Sequence, residues 1–229
     1  MMTNYPTGGF CDPQFKKIEE IFNQAIESGH EVGASLAIEH KGKLVVSLFG
    51  GHKDQERTSS WEKDTWVNVF SVTKAVTATC IARLIEEGKL DVSKPVSFYW
   101  PEYGCNGKEN TKVSDFLCHR AGAFGFQDGV PNIKWTNWHG FIKALEVQKP
   151  FREPGSSQGY HALTYGWLVG ELIRRVDGRT VGKYFKEEIA EPFGIDFKIG
   201  LDEEDFDNCA DTLMLENSGI GSNSLGLFK

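Results

Sequence analysis

Apolar residues fall at helical spacing directly after Asp12-Pro13, where PQFKKIEEIFNQAIESG sets Phe15, Ile18, Ile21 or Phe22 and Ala25 or Ile26 on one stripe. Proline has its φ preset for a first helical turn and aspartate can cap it, so a surface helix is predicted here. The period then changes. VGASLAIEHKGKLVVSLFGG holds two runs of β-formers separated by His40-Lys41-Gly42-Lys43 and predicts an antiparallel hairpin. A polar connector over 52–64 leads into WVNVF, read as a short extended segment. From Ser71 the helical period returns with Ala75, Ala78, Ile81 or Ala82 and Ile85, and it ends at Gly88. This helix is expected to be central and largely buried.

A region rich in Pro and Gly, Pro95 to Gly107, separates that helix from TKVSDFLCHRAG, which reads as a short helix running into a glycine-bearing loop. Further helices are predicted over 137–147, 162–176 and 181–189, with the turn-forming FREPGSSQGY ahead of the second. Residues 1–70 thus hold a helix and sheet strands, and residues 71–200 are mainly helical. That order predicts an α+β fold, an antiparallel sheet with an all-helical region, rather than regular βαβ alternation. The Gly/Ser-rich end, NSGIGSNSLGLFK, does not resemble the close of a finished sheet, because a two-stranded hairpin is marginal without further strands or a covering layer.

Composition narrows the class. With 229 residues, 40% hydrophobic and 25% charged, the chain has a globular balance and enough length to bury roughly 70% of its unfolded surface. A net charge of -7 argues against a polyanion-binding face, so no nucleic-acid partner is expected. Five cysteines, odd in number and without a CxxC pair, suggest neither a disulfide framework nor a thiolate metal site and point to a reducing compartment. MMTNYPTGGFCDPQF has no basic region followed by an apolar run, and no window approaches the roughly 20 apolar residues that cross a bilayer. Read as the natural start, it implies a cytoplasmic protein with no membrane partner.

Candidate chemistry centres on NVFSVTKAVTATCIARLIEEGKL, where Ser71 and Lys74 lie three positions apart at a helix start. Almost one turn apart, the two side chains can face one cavity. Ser71 would also sit among the unpaired N–H groups of a first turn, suited to a developing oxyanion. A serine hydroxyl needs a base, and lysine serves only as a neutral amine, which desolvation by Val69, Phe70, Ala75 and Ala78 would favour. The same four residues also fit an ordinary reading, a serine cap followed by a solvent-facing lysine.

The ordered set NVFSVTK, FLCHRAG and FREPGSSQGYHALTYGWLVGELIRRVDGRT resembles the serine β-lactamase-related hydrolases, in particular their class C-like carboxylesterase branch, over about residues 33–200. The resemblance implies a β-lactamase/transpeptidase-like fold with the active site between sheet and helices. It implies Ser71 as nucleophile and oxyanion donor, Lys74 as a proton acceptor and Tyr160 as a phenol relaying the proton. Such an enzyme takes a small ester or amide, forms an acyl-enzyme and needs no cofactor. Where penicillin-recognising members carry asparagine, Tyr160-His161-Ala162 has alanine, which shifts the expectation from a lactam toward a small carboxylic ester. Lactamase, D-amino peptidase or amidase activity, and a silent scaffold, remain as alternatives. The third motif of these enzymes, Lys-Thr-Gly or a relative, has no match before Lys229, so the chain reads as the N-terminal portion of a longer enzyme, its C-terminal sheet strands missing. A complementing C-terminal fragment or a second copy of the chain is the partner this implies.

Phe124, Phe126, Trp135 and Trp138 are candidates for lining an acyl or alcohol pocket, with core packing as their plainer role. His161 is a candidate polar contact to substrate, or a histidine satisfied within the helix start. His119, Arg120 and Asp115 read as loop-ordering residues. The six histidines form no HExxH or similar set, and no metal is expected. Gly122, Gly125 and Gly129 fit turns better than a phosphate cradle.

Overall fold

The computed structural model of the chain describes residues 5–213. They divide into two compact units, one formed by 5–68 together with 202–213, the other by Val69–Leu201. The return of 202–213 to the first unit has no hydrophobic signal in the sequence. It rests on backbone pairing, with Trp66 N–H donating to the Asn208 carbonyl and Ala210 N–H to Trp66, and on the Asn208 amide donating to the Asp64 carbonyl.

In the first unit, strand β1 (Thr7–Cys11) and strand β2 (Gly33–His40) flank strand β3 (Lys43–Gly51) in an antiparallel sheet. The β2–β3 hairpin turns through Lys41 and Gly42, both at positive φ, a two-residue connection shorter than the expected turn over 40–43 because His40 and Lys43 pair as strand residues. Its register slips between Ile38 and Glu39, leaving Val45 as an extra residue in β3. The bulge breaks the alternation, so Val45 and Val46 are both buried. Helix α1 (Lys16–Glu27), entered through a 3-10 turn that Asp12 caps at Gln14 N–H, lays Phe22 and Ile26 on this face. Ile21, the alternative stripe member, points to solvent. Strand β1 was not anticipated, because TGGFC has no alternation. Gly9 explains its sequence, for at φ +106 a Cβ there would meet the Ser47 carbonyl oxygen at 1.9 Å.

The second unit contains α2 (Val72–Glu86), α3 (Val113–Leu117), α4 (Trp138–Val147), α5 (Thr164–Asp177) and α6 (Val181–Phe185), the last continuing through a π-helical turn, Lys186–Ala190. Helix α5, not α2, is the central element. Residues Thr164 to Ile173 of α5 are almost all buried, whereas α2 buries only Thr77, Cys80, Ile81 and Leu84. The apolar residues of α2 run all round the helix and offer more than one stripe. Packing against α5 and α6 selects the one with Leu84 and leaves Ala75, Ala82 and Ile85 exposed. WVNVF forms no strand; among the described residues it carries an isolated bridge from Trp66 to Cys209, and the chain turns sharply at Phe70.

A charged knot sits inside the helical core. Glu171, fully buried, accepts from Trp138 Nε1 at 2.9 Å, Arg174 Nε at 2.8 Å and Arg175 Nε at 2.7 Å. Burial pushes its carboxyl up, but hydrogen bonds from Arg174, Trp138 and Arg175 outweigh this and hold it below the usual carboxylate range. Beside it, Trp135, Phe141 and Trp167 stack, the Phe141 and Trp167 centroids 4.1 Å apart.

Candidate active site

Ser71 stands immediately before α2, and the residue ahead of it, Phe70, is held at φ +45. A bulky side chain rarely adopts that backbone, which here turns the chain abruptly into the helix. The first-turn amides are not left open as the sequence suggested. Val72, Thr73 and Lys74 donate to the carbonyls of Val69, Phe70 and Ser71 at 3.1 Å each, a tight 3-10 closure that leaves the N–H of Ser71 itself outside this set.

The serine hydroxyl makes no capping bond to the helix. Instead Ser71 Oγ lies 3.1 Å from Lys74 Nζ and 2.7 Å from Tyr160 Oη. Lys74 also donates to the Ala162 carbonyl at 2.9 Å and sits over the Tyr160 ring, 5.0 Å from its centroid. The ordinary reading of the motif, a cap with a solvent-facing lysine, therefore does not describe this chain. All three side chains belong to the Val69–Leu201 unit. Hydrogen bonding with Ser71, then with Lys74, holds the Tyr160 phenol below its ordinary pKa against a smaller opposing effect of burial.

Ala162 carries no side-chain amide, and its backbone carbonyl is what fixes the lysine. Two loops frame this corner. In the first, Asp115 Oδ2 accepts from Lys112 N–H at 2.9 Å, and the Asp115 carbonyl from Arg120 N–H at 2.7 Å. The loops then join: Phe151 N–H donates to Gly122, Gly155 N–H to Arg120 and Gly159 N–H to His119, while the Arg120 guanidinium donates to the Gly155 carbonyl. Gly122, at φ +67, permits this close approach; a Cβ would meet the Arg152 carbonyl oxygen at 2.1 Å.

His161 is 0% exposed and lies in the frame, not on an open face. Its Nδ1 donates to the Gly159 carbonyl at 2.7 Å and its Nε2 accepts from Ala123 N–H at 3.3 Å, which fixes a neutral tautomer. Burial is the main reason its pKa falls to about 4. This is the satisfied-histidine role. Phe124 lies against the loop that carries Tyr160, edge-on to His161 and stacked on Phe151 at 4.7 Å. Phe126 and Trp138 pack on the helical core, Trp138 with its indole on Glu171; Trp135 is half-exposed but stacked on Phe141 and Trp167. Of the four aromatic candidates, only Phe124 is placed beside the tyrosine loop. Among the described residues no group of three or more His, Cys, Asp or Glu is arranged to hold a metal ion, and no helix is long and apolar enough to cross a membrane.

Residues 18–224 match the family profile described as Beta-lactamase. The chain belongs to the Beta-lactamase family. It is 36% identical over 188 residues to the esterase/beta-lactamase LipL of Mycobacterium tuberculosis, covering 82% of this chain and 43% of that protein. A penicillin-binding protein homologue from Caulobacter crescentus superposes with a TM-score of 0.86 at 40% identity, over 91% of this chain and 56% of the other. A family VIII carboxylesterase superposes with a TM-score of 0.83 at 37% identity, over 91% and 57%. The fold is thus that of the β-lactamase/transpeptidase group, and LipL and the carboxylesterase are hydrolases. The chain spans about half the length of these proteins.

Proposed function

We propose that this chain carries the nucleophilic and proton-transfer residues of a serine hydrolase that cleaves small carboxylic esters through an acyl-enzyme. The observation that carries the reading is the Ser71 hydroxyl held between Tyr160 Oη at 2.7 Å and Lys74 Nζ at 3.1 Å. In the acylation step, with Tyr160 as phenolate, the Ser71 proton passes to the Tyr160 oxygen as Oγ bonds to the ester carbonyl carbon. Charge developing on the carbonyl oxygen meets the N–H of Ser71. The tetrahedral adduct collapses, the C–O bond to the alcohol breaks, and Tyr160 returns its proton to the departing alkoxide. Water repeats the sequence on the acyl-enzyme, releasing the acid and restoring Ser71.

The 2.7 Å contact with Ser71 and the lowered phenol support Tyr160 as the proton acceptor, with Lys74 supplying a neighbouring donor that favours the phenolate. This modifies the expectation that Lys74 itself takes the proton. Ester substrates are favoured over lactams because residue 162 projects only a methyl group, and its carbonyl is occupied by Lys74. The family VIII carboxylesterase among the similar structures supports that preference, whereas the name of LipL carries both activities.

A reactive aryl phosphonate, added to the natural full-length protein, is expected to give one adduct by intact mass, mapped to Ser71 and lost in Ser71→Ala. Short-chain aryl esters are expected to turn over faster than a cephalosporin. A folded protein that forms no Ser71 adduct would make the chain a scaffold instead.

A further inference from the structure

Tyr160 is 55% exposed, and it lies on a loop rather than on a helix. A phenol so placed keeps a 2.7 Å contact only if its backbone is fixed. His119 touches that backbone on both sides. Its carbonyl accepts from Gly159 N–H at 2.9 Å, and its Nδ1 accepts from His161 N–H at 3.1 Å. Its ring centroid lies 4.8 Å from that of Tyr160, with Tyr165 of α5 at 5.1 Å. His119 sits at φ +59 as the left-handed residue that closes α3, its N–H on the Phe116 carbonyl and Arg120 N–H on the Asp115 carbonyl, and this closure fixes where its ring and carbonyl point.

Resting on the hydrolase reading, we propose that His119 is a positioning residue whose backbone carbonyl and neutral imidazole together bracket residues 159–161, the ring holding the 161 side, and so keep the Tyr160 phenol on Ser71 and Lys74. The bracket depends on an unprotonated Nδ1, because a proton there would set two donors against each other at the His161 N–H. Ionisable groups around the ring are Lys74 on α2, Tyr160 and His161 on the loop and Tyr165 on α5, with Cys118 and Arg120 as chain neighbours. Burial, and then the charge of Lys74, lower the pKa of His119 and keep the accepting form in place at neutral pH. The role differs from catalysis, since the imidazole acts on the His161 N–H beside Tyr160 and not on the reacting atoms.

The test compares His119→Gly, which tolerates the left-handed backbone but removes the ring, with His119→Asn, whose side-chain oxygen replaces Nδ1 as acceptor. In protein labelled at tyrosine Cζ, with Tyr160→Phe to assign the resonance, the Tyr160 titration is expected to move up toward the ordinary tyrosine range in His119→Gly and to return in His119→Asn. Phosphonylation of Ser71 is expected to slow roughly tenfold or more in the glycine variant and to stay within about threefold in the asparagine variant. An unchanged Tyr160 titration in a folded His119→Gly protein would overturn the proposal. So would nitrogen NMR of the unsubstituted protein showing a proton on His119 Nδ1 at neutral pH, a measurement that needs no variant to fold. Neither resonance experiment needs turnover, so absence of a Ser71 adduct would sink the hydrolase reading and leave these to judge the bracket.

Discussion

The corner around Ser71 and the core between α4 and α5 solve opposite problems with the same side-chain chemistry. In the core, a buried carboxylate is surrounded by donors from Trp138, Arg174 and Arg175, rings stack, and the backbone is regular helix. In the corner, Ser71 and Tyr160 are exposed, Phe70 and His119 occupy positive φ, and order comes from loop carbonyls and amides behind the reacting groups. Saturated polar groups in the core stabilise the fold. The exposed hydroxyls of the corner are left able to exchange a proton, with strain confined to the residues that aim them.

If that division holds, the largest effect belongs to the corner and should leave stability untouched. Tyr160→Phe is expected to slow Ser71 acylation by about 10³-fold, near 4 kcal/mol of barrier, while the melting temperature stays within about 2 °C. In the unsubstituted protein the acylation rate is expected to rise with pH along a limb centred below the ordinary tyrosine value, because the phenolate is the accepting form and its pKa is lowered. A limb at the ordinary value, or none, would remove Tyr160 from the proton path.

Next is the converse substitution in the core. Glu171→Ala leaves two arginines and an indole without their acceptor and is expected to cost about 3 kcal/mol in chemical denaturation, at the low end for a buried pair because both arginines are partly exposed. Ser71 labelling in the folded fraction should be unchanged. The folded-state pKa of Glu171 is depressed, so its contribution is present above the unfolded carboxylate range and is lost as pH falls through the folded value. The stability gap between the unsubstituted protein and Glu171→Gln should therefore narrow in acid, and a constant gap would argue against an ionised Glu171.

The smallest effect separates the two roles of an aromatic candidate. Trp135→Leu removes one half-exposed ring from the Phe141–Trp167 stack and is expected to cost about 1 kcal/mol with KM for short esters unchanged. A rise in KM without loss of stability would instead place Trp135 at the substrate.

The sequence alone determined most of the order of the elements and singled out the candidate site residues. Period changes located the hairpin, α2, α4 and α5, because amphipathic spacing is a local property written in neighbouring residues. Motif order selected Ser71, Lys74 and Tyr160 from many serines, lysines and tyrosines. Tertiary structure decided which stripe of α2 is buried, that α5 is the central helix, and that Val45 and Val46 both face inward across a bulge. It alone paired the glycine-rich β1 with β3 and brought 202–213 back to Trp66, since these contacts are backbone hydrogen bonds between distant residues that leave no hydrophobic period. The left-handed turns at Phe70 and His119, and the Ala162 carbonyl standing where a side-chain amide was missed, belong to the same class. A carbonyl or an N–H is present at nearly every residue, so only the folded path of the chain gives a particular one a role.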